Sequence, residues 1–312
     1  MIANQKNKQK RLVVGIGSAL VDILVHEDDE FLAKTGAVKG GMKYVDREFI
    51  ELAVSQTSKK PIIMPGGSAC NTVVGIGRLG GSARFVGKSG NGEMAGLFET
   101  GLKNSNVDPA LFKSSSPTGR VLSIITPDAQ RSMLTFLGAA SETQPEEITE
   151  NCFENAAIVH IEGYLLFNED LIMAALKSAK AAGALVSLDL ASFTVVEASK
   201  TLLKKIVKDF VDILIANEDE AKTFTGHGDK IKAVRSLSEN TQIAALKIGE
   251  RGSFISHGGK IIKIEAMGGG AVVDTTGAGG KLGSACGYEV CQVVGANVPE
   301  EGWQRIKKLL EE

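Results

Sequence analysis

An α/β fold, with a mainly parallel sheet and a smaller β-layer standing off it, is what the order of patterns in this chain predicts. Beyond Ile158, short apolar runs alternate with amphipathic helical stretches, the rhythm of parallel strands joined by right-handed crossovers. Upstream, two β-rich runs flank Pro127-Asp128 and read as a hairpin inside an otherwise alternating chain. Several apolar runs also break abruptly into glycines or acids, and sheets of this class bind ligands beyond the carboxyl ends of their strands.

The elements follow in order. Leu12–Ile16 is an apolar run read as a first buried strand, ending in Gly17-Ser18-Ala19-Leu20-Val21-Asp22. Gly15 and Gly17 open a G-x-G turn, but the third glycine of a dinucleotide fingerprint is replaced by Leu20, so a dinucleotide-dependent oxidoreductase is a weak reading. Asp22, taken alone, reads as a turn or cap aspartate at the strand's end. A helix begins at Asp46 and carries Phe49, Ile50, Leu52 and Ala53. Pro65-Gly66-Gly67-Ser68-Ala69-Cys70-Asn71 precedes a helical stripe of Val73, Val74, Ile76 and Leu79 that stops at Gly80-Gly81. Two glycines let backbone approach a ligand closely, and Asn71 offers donor and acceptor together; the bland alternative is Ser68 as the N-cap, with Asn71 in solvent.

A strand at 83–87 and a helix at 91–102 lead to the β-rich runs at 118–126 and 132–136. Then come a strand at 158–161, a helix at 168–182 closed by Gly183, a strand at 185–190, a helix at 201–208 and a strand at 211–216. Glu162 and Asp189 fall at strand ends, as caps, surface charges or site residues. Asn217-Glu218-Asp219-Glu220 reads as a helix N-terminus with Asn217 as cap and acids in the first turn. A strand at 243–248 runs into Lys247-Ile248-Gly249-Glu250-Arg251-Gly252 and a hairpin at 253–264.

Composition sets outer limits. With 312 residues, 43% of them hydrophobic, the chain can bury the core of one large α/β domain or two smaller ones. A formal net charge of −2 provides no basic footprint for nucleic acid and no polybasic membrane anchor. No stretch approaches the roughly twenty apolar residues of a membrane span. Cys70, Cys152, Cys286 and Cys291 form no C-x-x-C pair and read as reduced thiols, as in cytoplasm. Residues 1–11 are polar and lysine-rich, neither signal peptide nor span, and are expected to be a flexible tail.

The most informative stretch is Val272-Val273-Asp274-Thr275-Thr276-Gly277-Ala278-Gly279, where glycines after an apolar run can turn successive N–H groups into an anion-holding concavity. A following helix would add its positive end. Lys281 after these glycines hints at a phosphate loop of the Walker type, but the spacing fails. Asp-Thr-Thr-Gly-Ala-Gly resembles, residue for residue, the C-terminal signature of the ribokinase or PfkB family of sugar and nucleoside kinases. Gly66-Gly67 through Asn71 resembles that family's N-terminal Gly-Gly-x-x-x-Asn signature. Ser18 to Asp22 and Gly138-Ala139-Ala140 look closest to its adenosine-kinase-like branch.

The resemblance covers nearly all of the chain from Leu12 onward. It implies a ribokinase-like three-layer α/β/α domain over residues 12–312, with a β-stranded lid formed by about 23–46 and 108–137, and Met42 near the substrate. It implies ATP-dependent phosphoryl transfer to a primary hydroxyl of a sugar or nucleoside, with ATP and Mg²⁺ as cofactors. Asp22, Gly66, Gly67, Asn71 and Glu162 would hold the acceptor, with Asp189 near the reaction centre. Asn217, Lys247, Gly249, Gly252, Thr275, Gly277 and Gly279 would meet ATP, and the N–H groups of Gly277, Ala278 and Gly279 would form the anion hole. Glu220 would organise Mg²⁺ through water, and Asp274 and Thr276 a monovalent cation such as K⁺. A cytoplasmic monomer or homodimer, without nucleic-acid or membrane partners, is the expected setting.

One departure matters. After Gly279 the family pattern places the aspartate that takes the acceptor's proton, and this chain has Gly280. The text from Lys281 to Ala296 resembles a later family segment, so about twenty residues, roughly 30 Å of helix, are missing between them. The favoured explanation is a segment dropped from the numbering, because losing a buried helix would strip a core that leaves only marginal stability. The alternative is a true deletion, which would leave a non-catalytic nucleotide- or sugar-binding homologue.

Overall fold

The computed structural model describes residues 12–266 and Gln304. The expected first strand forms as β1 (Leu12–Ile16), in the middle of a large sheet. It is parallel to β5 (Ala83–Asn91) on one side and β8 (Ala156–Glu162) on the other. Beyond β8 lie β9 (Leu185–Asp189), β10 (Ile213–Ala216) and β11 (Ile243–Lys247), all parallel, as the alternation predicts. The antiparallel hairpin of β12 (Ser253–His257) and β13 (Lys260–Ile264) closes that flank.

Strand register assigns the two faces of this sheet, because side chains alternate along each strand. Val14, Val159 and Val186 are aligned across β1, β8 and β9, Leu188 on the same face of β9 is aligned with Leu214 of β10, and all are buried in the main core with α5 (Glu169–Ala181), α7 (Lys200–Asp209), α8 (Glu218–Thr225) and α9 (Lys230–Leu237). On the opposite face, Phe85 packs with α3 (Ser68–Arg78) and α4 (Glu93–Asn104) in a second core around Val73, Phe98 and Leu102. Gly15 lies on that face because α3 comes close: an added Cβ would stand 2.7 Å from Val73 Cγ1 and 3.0 Å from the Ala69 carbonyl.

β6 (Val107–Ile125) joins the second sheet to the first. Its 19 residues begin as a parallel partner of β5, from Val107 to Lys113, meet it once more with Pro117 opposite Asn91, and then leave. From Gly119 onward the same strand pairs with β2 (Leu20–His26). The expectation gave 108–137 to the lid; residues 107–113 belong instead to the large sheet. At the bend, a Cβ on Gly90 would overlap the Ser116 carbonyl, so the crossing depends on glycine there. The second sheet runs β4 (Ile62–Gly66), β2, β6, β7 (Arg131–Gly138), β3 (Met42–Tyr44). It has its own core: α1 (Asp29–Lys34) and α2 (Arg47–Ser55) cover Ile23, Val25, Leu122, Ile124 and Leu134 with Phe31, Leu32 and Ile50.

Asp22, expected at the end of β1, is instead third in β2, within the second sheet. β4, which the sequence leaves unassigned, also belongs to that sheet. Leu52, expected on the apolar face of α2, faces solvent. Asp46 caps α2 as expected, accepting the Phe49 N–H at 2.7 Å.

Candidate active site

The sequence-nominated residues among those described collect where β1, β8, β9, β10 and β11 end and the second sheet begins. In the second sheet, Asp22 is 6% exposed on β2, opposite Met64 of β4 and Val121 of β6. Its carboxyl group lies against Gly66, where any Cβ would overlap it. Gly67 takes φ +101 and is the N-cap of α3, with no side-chain cap; a Cβ there would sit 2.6 Å from the Ser18 carbonyl. Ser68 is therefore the first helical residue rather than the cap. Asn71 is half-buried one turn on, its N–H donating to the Gly67 carbonyl at 2.9 Å. Burial first, then the charges of Asp22 and Glu162, push the Cys70 thiol up, which keeps it protonated and inert beneath this corner.

Glu162, the last residue of β8, is 2% exposed. Its Oε1 accepts the Ser18 N–H at 2.8 Å and its Oε2 the Ala69 N–H at 3.1 Å. Burial raises its proton affinity, while those two N–H groups and the Ser18 hydroxyl pull the other way. The carboxylate sits beside the expected acceptor position but with both oxygens already held by main chain.

At the neighbouring strand ends, Asp189 ends β9 and Lys247 ends β11, and they form an ion pair at 2.9 Å. Asp189 also accepts the Ala191 N–H at 2.9 Å, with Ala191 in the left-handed region at φ +64. Burial works against the charged Asp189, and Lys247 outweighs it, leaving the carboxyl below its ordinary range. Asn217 and Glu220 form a reciprocal capping box on α8. The Asn217 N–H donates to Glu220 Oε2 at 2.7 Å, its side-chain NH₂ donates to Oε1 at 2.6 Å, and its Oδ1 accepts the Glu220 N–H at 2.9 Å. Glu220 is 1% exposed; burial, then the Asp189 charge, raises its carboxyl to about 7. A buried Glu220 carboxyl whose proton affinity the Asp189 charge raises suits a neighbouring cation, the role Lys247 fills here and one that hydrated Mg²⁺ also fits.

Gly249 (φ +60) and Gly252 (φ +88) flank a short 3₁₀ turn leading into the β12–β13 hairpin. A Cβ at Gly252 would overlap the Ile264 carbonyl, so hairpin closure accounts for that glycine. Asp274, Thr275, Thr276, Gly277, Ala278 and Gly279 lie outside the described residues, as do residues 1–11, Cys286 and Cys291.

Some polar groups in the site were not nominated by the sequence. His160 is buried on β8 between Thr72 Oγ1 (3.4 Å) and Ser187 Oγ (3.0 Å), linking α3 to β9. Burial is the main cause lowering its proton affinity. Its only sequence signal is a lone histidine inside an apolar strand. Tyr44 of β3 and Phe167, 46% and 54% exposed, meet edge to face at 6.5 Å across the junction of the two sheets. Burial, aided by the Glu162 charge, pushes the Tyr164 phenol up to about 12.

Comparison with known proteins gives this arrangement a family. The model of the pfkB family carbohydrate kinases matches residues 20–279. The match ends where the expected aspartate is replaced by Gly280. A probable fructokinase-7 of Arabidopsis thaliana is 29% identical over 250 residues, spanning 74% of this chain and 70% of that protein. The guanosine-inosine kinase of Escherichia coli K12 is 26% identical over 262 residues, 78% and 59% of the two chains. Among solved structures, a probable sugar kinase from Rhizobium etli CFN 42 superposes with a TM-score of 0.89 at 27% identity, covering 96% of this chain and 99% of that one. An adenosine kinase from Sinorhizobium meliloti does so at 0.86 and 27%, with the same coverage. With more than two thirds of its length matched by the family model and a ribokinase-like fold superposing on solved sugar and adenosine kinases, this chain belongs to the pfkB family of carbohydrate kinases.

Proposed function

We propose that the protein binds a sugar or nucleoside in the seam between its two sheets and transfers the γ-phosphoryl group of ATP to a primary hydroxyl of it. The observation that carries this is the convergence of Asp22, the Gly66-Gly67 backbone and the first turn of α3 with Asn71 at one corner, since a polyol needs acceptors, donors and close backbone approach together. The buried Asp22 carboxylate accepts hydrogen bonds from acceptor hydroxyls, and Asn71 both donates and accepts. The second sheet shields the acceptor from water, which would otherwise compete for the phosphoryl group. Mg²⁺–ATP supplies the phosphoryl group and the charge that offsets the phosphates; Glu220 and Asp189, beside Lys247, are the described residues suited to that end of the cleft. Gly249, Gly252, Asn217 and the Gly277–Gly279 amides remain the nominated nucleotide contacts. The reading is tested by ADP release over a panel of pentoses, hexoses and nucleosides. No release and no binding by any of them would sink it.

A second reading is favoured by one specific observation. The 312-residue sequence runs directly from Gly279 to Gly280, so the shortfall belongs to the sequence itself and not, as expected, to its numbering. General bases typically contribute roughly 100- to 10,000-fold. A chain without one binds its acceptor and nucleotide but turns over little. Acceptor binding by calorimetry without ADP release identifies that case.

A further inference from the structure

The second sheet is tied to the first by few crossings, and two of them pass the same side chain. One is the connector of residues 17–19 from β1 to β2; the other is Gly67, leading from β4 into α3. They touch each other, since a Cβ on Gly67 would lie 2.6 Å from the Ser18 carbonyl. The geometry points to Glu162 as the pin of this hinge: its carboxylate fastens the Ser18 N–H and the Ala69 N–H to the end of β8, and so sets the angle at which Asp22 and Asn71 face the acceptor. Glu162 is thus a positioning residue and not a hydroxyl ligand.

Three observations carry this independently of one another. Both carboxylate oxygens are occupied by main-chain donors from two different crossings, at 2.8 and 3.1 Å. The residue is 2% exposed, leaving little surface for a substrate hydroxyl. Gly17 lies so close that any Cβ on it would overlap the Glu162 carboxyl group, and on its other side the Gly17 carbonyl stands 2.6 Å from where a Cβ of Gly87 would be. The first connector is therefore gripped between β5 and the Glu162 side chain. Asp22 lies three residues beyond Ala19 and Asn71 two residues beyond Ala69, so both acceptor groups hang directly on the pinned segments.

The inference rests on the acceptor site proposed above, and its test separates the two. Glu162→Gln keeps the volume but turns an NH₂ group toward one of two N–H donors. Losing a charge-assisted bond of this kind predicts a rise in acceptor dissociation constant of roughly 10- to 150-fold, with nucleotide affinity unchanged. Hydrogen exchange of amides in 17–26 and 66–71 should rise by about tenfold or more, while β9 to β11 keep the wild-type rate. A ligand role predicts the opposite division: acceptor binding lost with exchange in the two connectors unaltered, and that result overturns the pin. Unaltered exchange together with unaltered binding overturns it too. If the variant does not fold, wild-type protein gives the answer: saturating acceptor should leave the Ser18 and Ala69 amides as protected as before or more so. Faster exchange there would mean the carboxylate turns to the substrate. Wild-type protein that binds no acceptor would refute the proposed function, while the exchange pattern of the variant still decides the hinge.

Discussion

Gly66 has no room for a side chain because the Asp22 carboxyl group occupies the space. Gly66→Ala must therefore push Asp22 off the position where it meets an acceptor, or move β4 away from β2. Hydrogen bonds to charged groups contribute about 1.5–3 kcal/mol, so acceptor affinity should fall roughly 10- to 150-fold in Gly66→Ala, with nucleotide affinity intact, as titration calorimetry would read. Asp22→Asn, which keeps shape but loses charge, should fall in the lower part of that range; equal affinity in both variants and wild type would remove Asp22 from the site. At this scale the sequence is legible wherever backbone approach demands glycine, and Gly66-Gly67-x-x-x-Asn71 could be read at once. Glu162 is expected as an acceptor ligand, and the Ser18 and Ala69 N–H groups on its carboxylate were not legible, because a sequence cannot show which N–H groups a carboxylate faces. His160 shows in the sequence only as a lone histidine in an apolar strand: its partners Thr72 and Ser187 come from α3 and β9, brought beside it only by the strand order.

Elements are governed by caps, length and the sign of their buried charges. Asn217 holds three hydrogen bonds of the α8 capping box, so Asn217→Ala should cost about 1–2 kcal/mol of stability in urea unfolding, a loss present without any nucleotide. Buried His160 holds its proton less tightly when folded than the unfolded chain does. Its contribution is therefore present above the unfolded value, near 6.5, and is lost as pH falls below it. The stability of wild type relative to His160→Gln should fall between pH 7.5 and pH 5.5; a difference independent of pH would show that this histidine does not titrate as its burial dictates. Caps were the most legible element signals, with Asp46 and Asn217 heading helices as their residue types predict. α1, α6 (Phe193–Ala198) and α9 were not anticipated, since six to eight residues hold too few turns for helical periodicity to stand out. β6 was seen only in its second half: residues 107–117 include Pro109, Pro117 and three successive serines, which read as loop until β5 supplies a partner.

At the level of the whole molecule, the acceptor corner and the chemistry depend on different parts of the chain. The corner proposed for the acceptor draws its polar groups from residues 15–71 and the end of β8, held by the second core and the core of the second sheet. Proton removal would fall to the aspartate that follows Gly279 in the family pattern, and Gly280 stands there. Binding and turnover should therefore separate. A ligand at 100 times its dissociation constant stabilises by about 2.7 kcal/mol, which in a chain of this size raises the melting temperature by roughly 4 °C. The true acceptor should produce that shift in wild type and lose about half of it or more in Gly66→Ala. Turnover of the same acceptor should lie roughly 100- to 10,000-fold below that of a relative carrying the aspartate, the range a general base supplies. A melting shift accompanied by full turnover would mean that another group takes the proton. Turnover without any shift in wild type would mean that the acceptor binds elsewhere than between the two sheets.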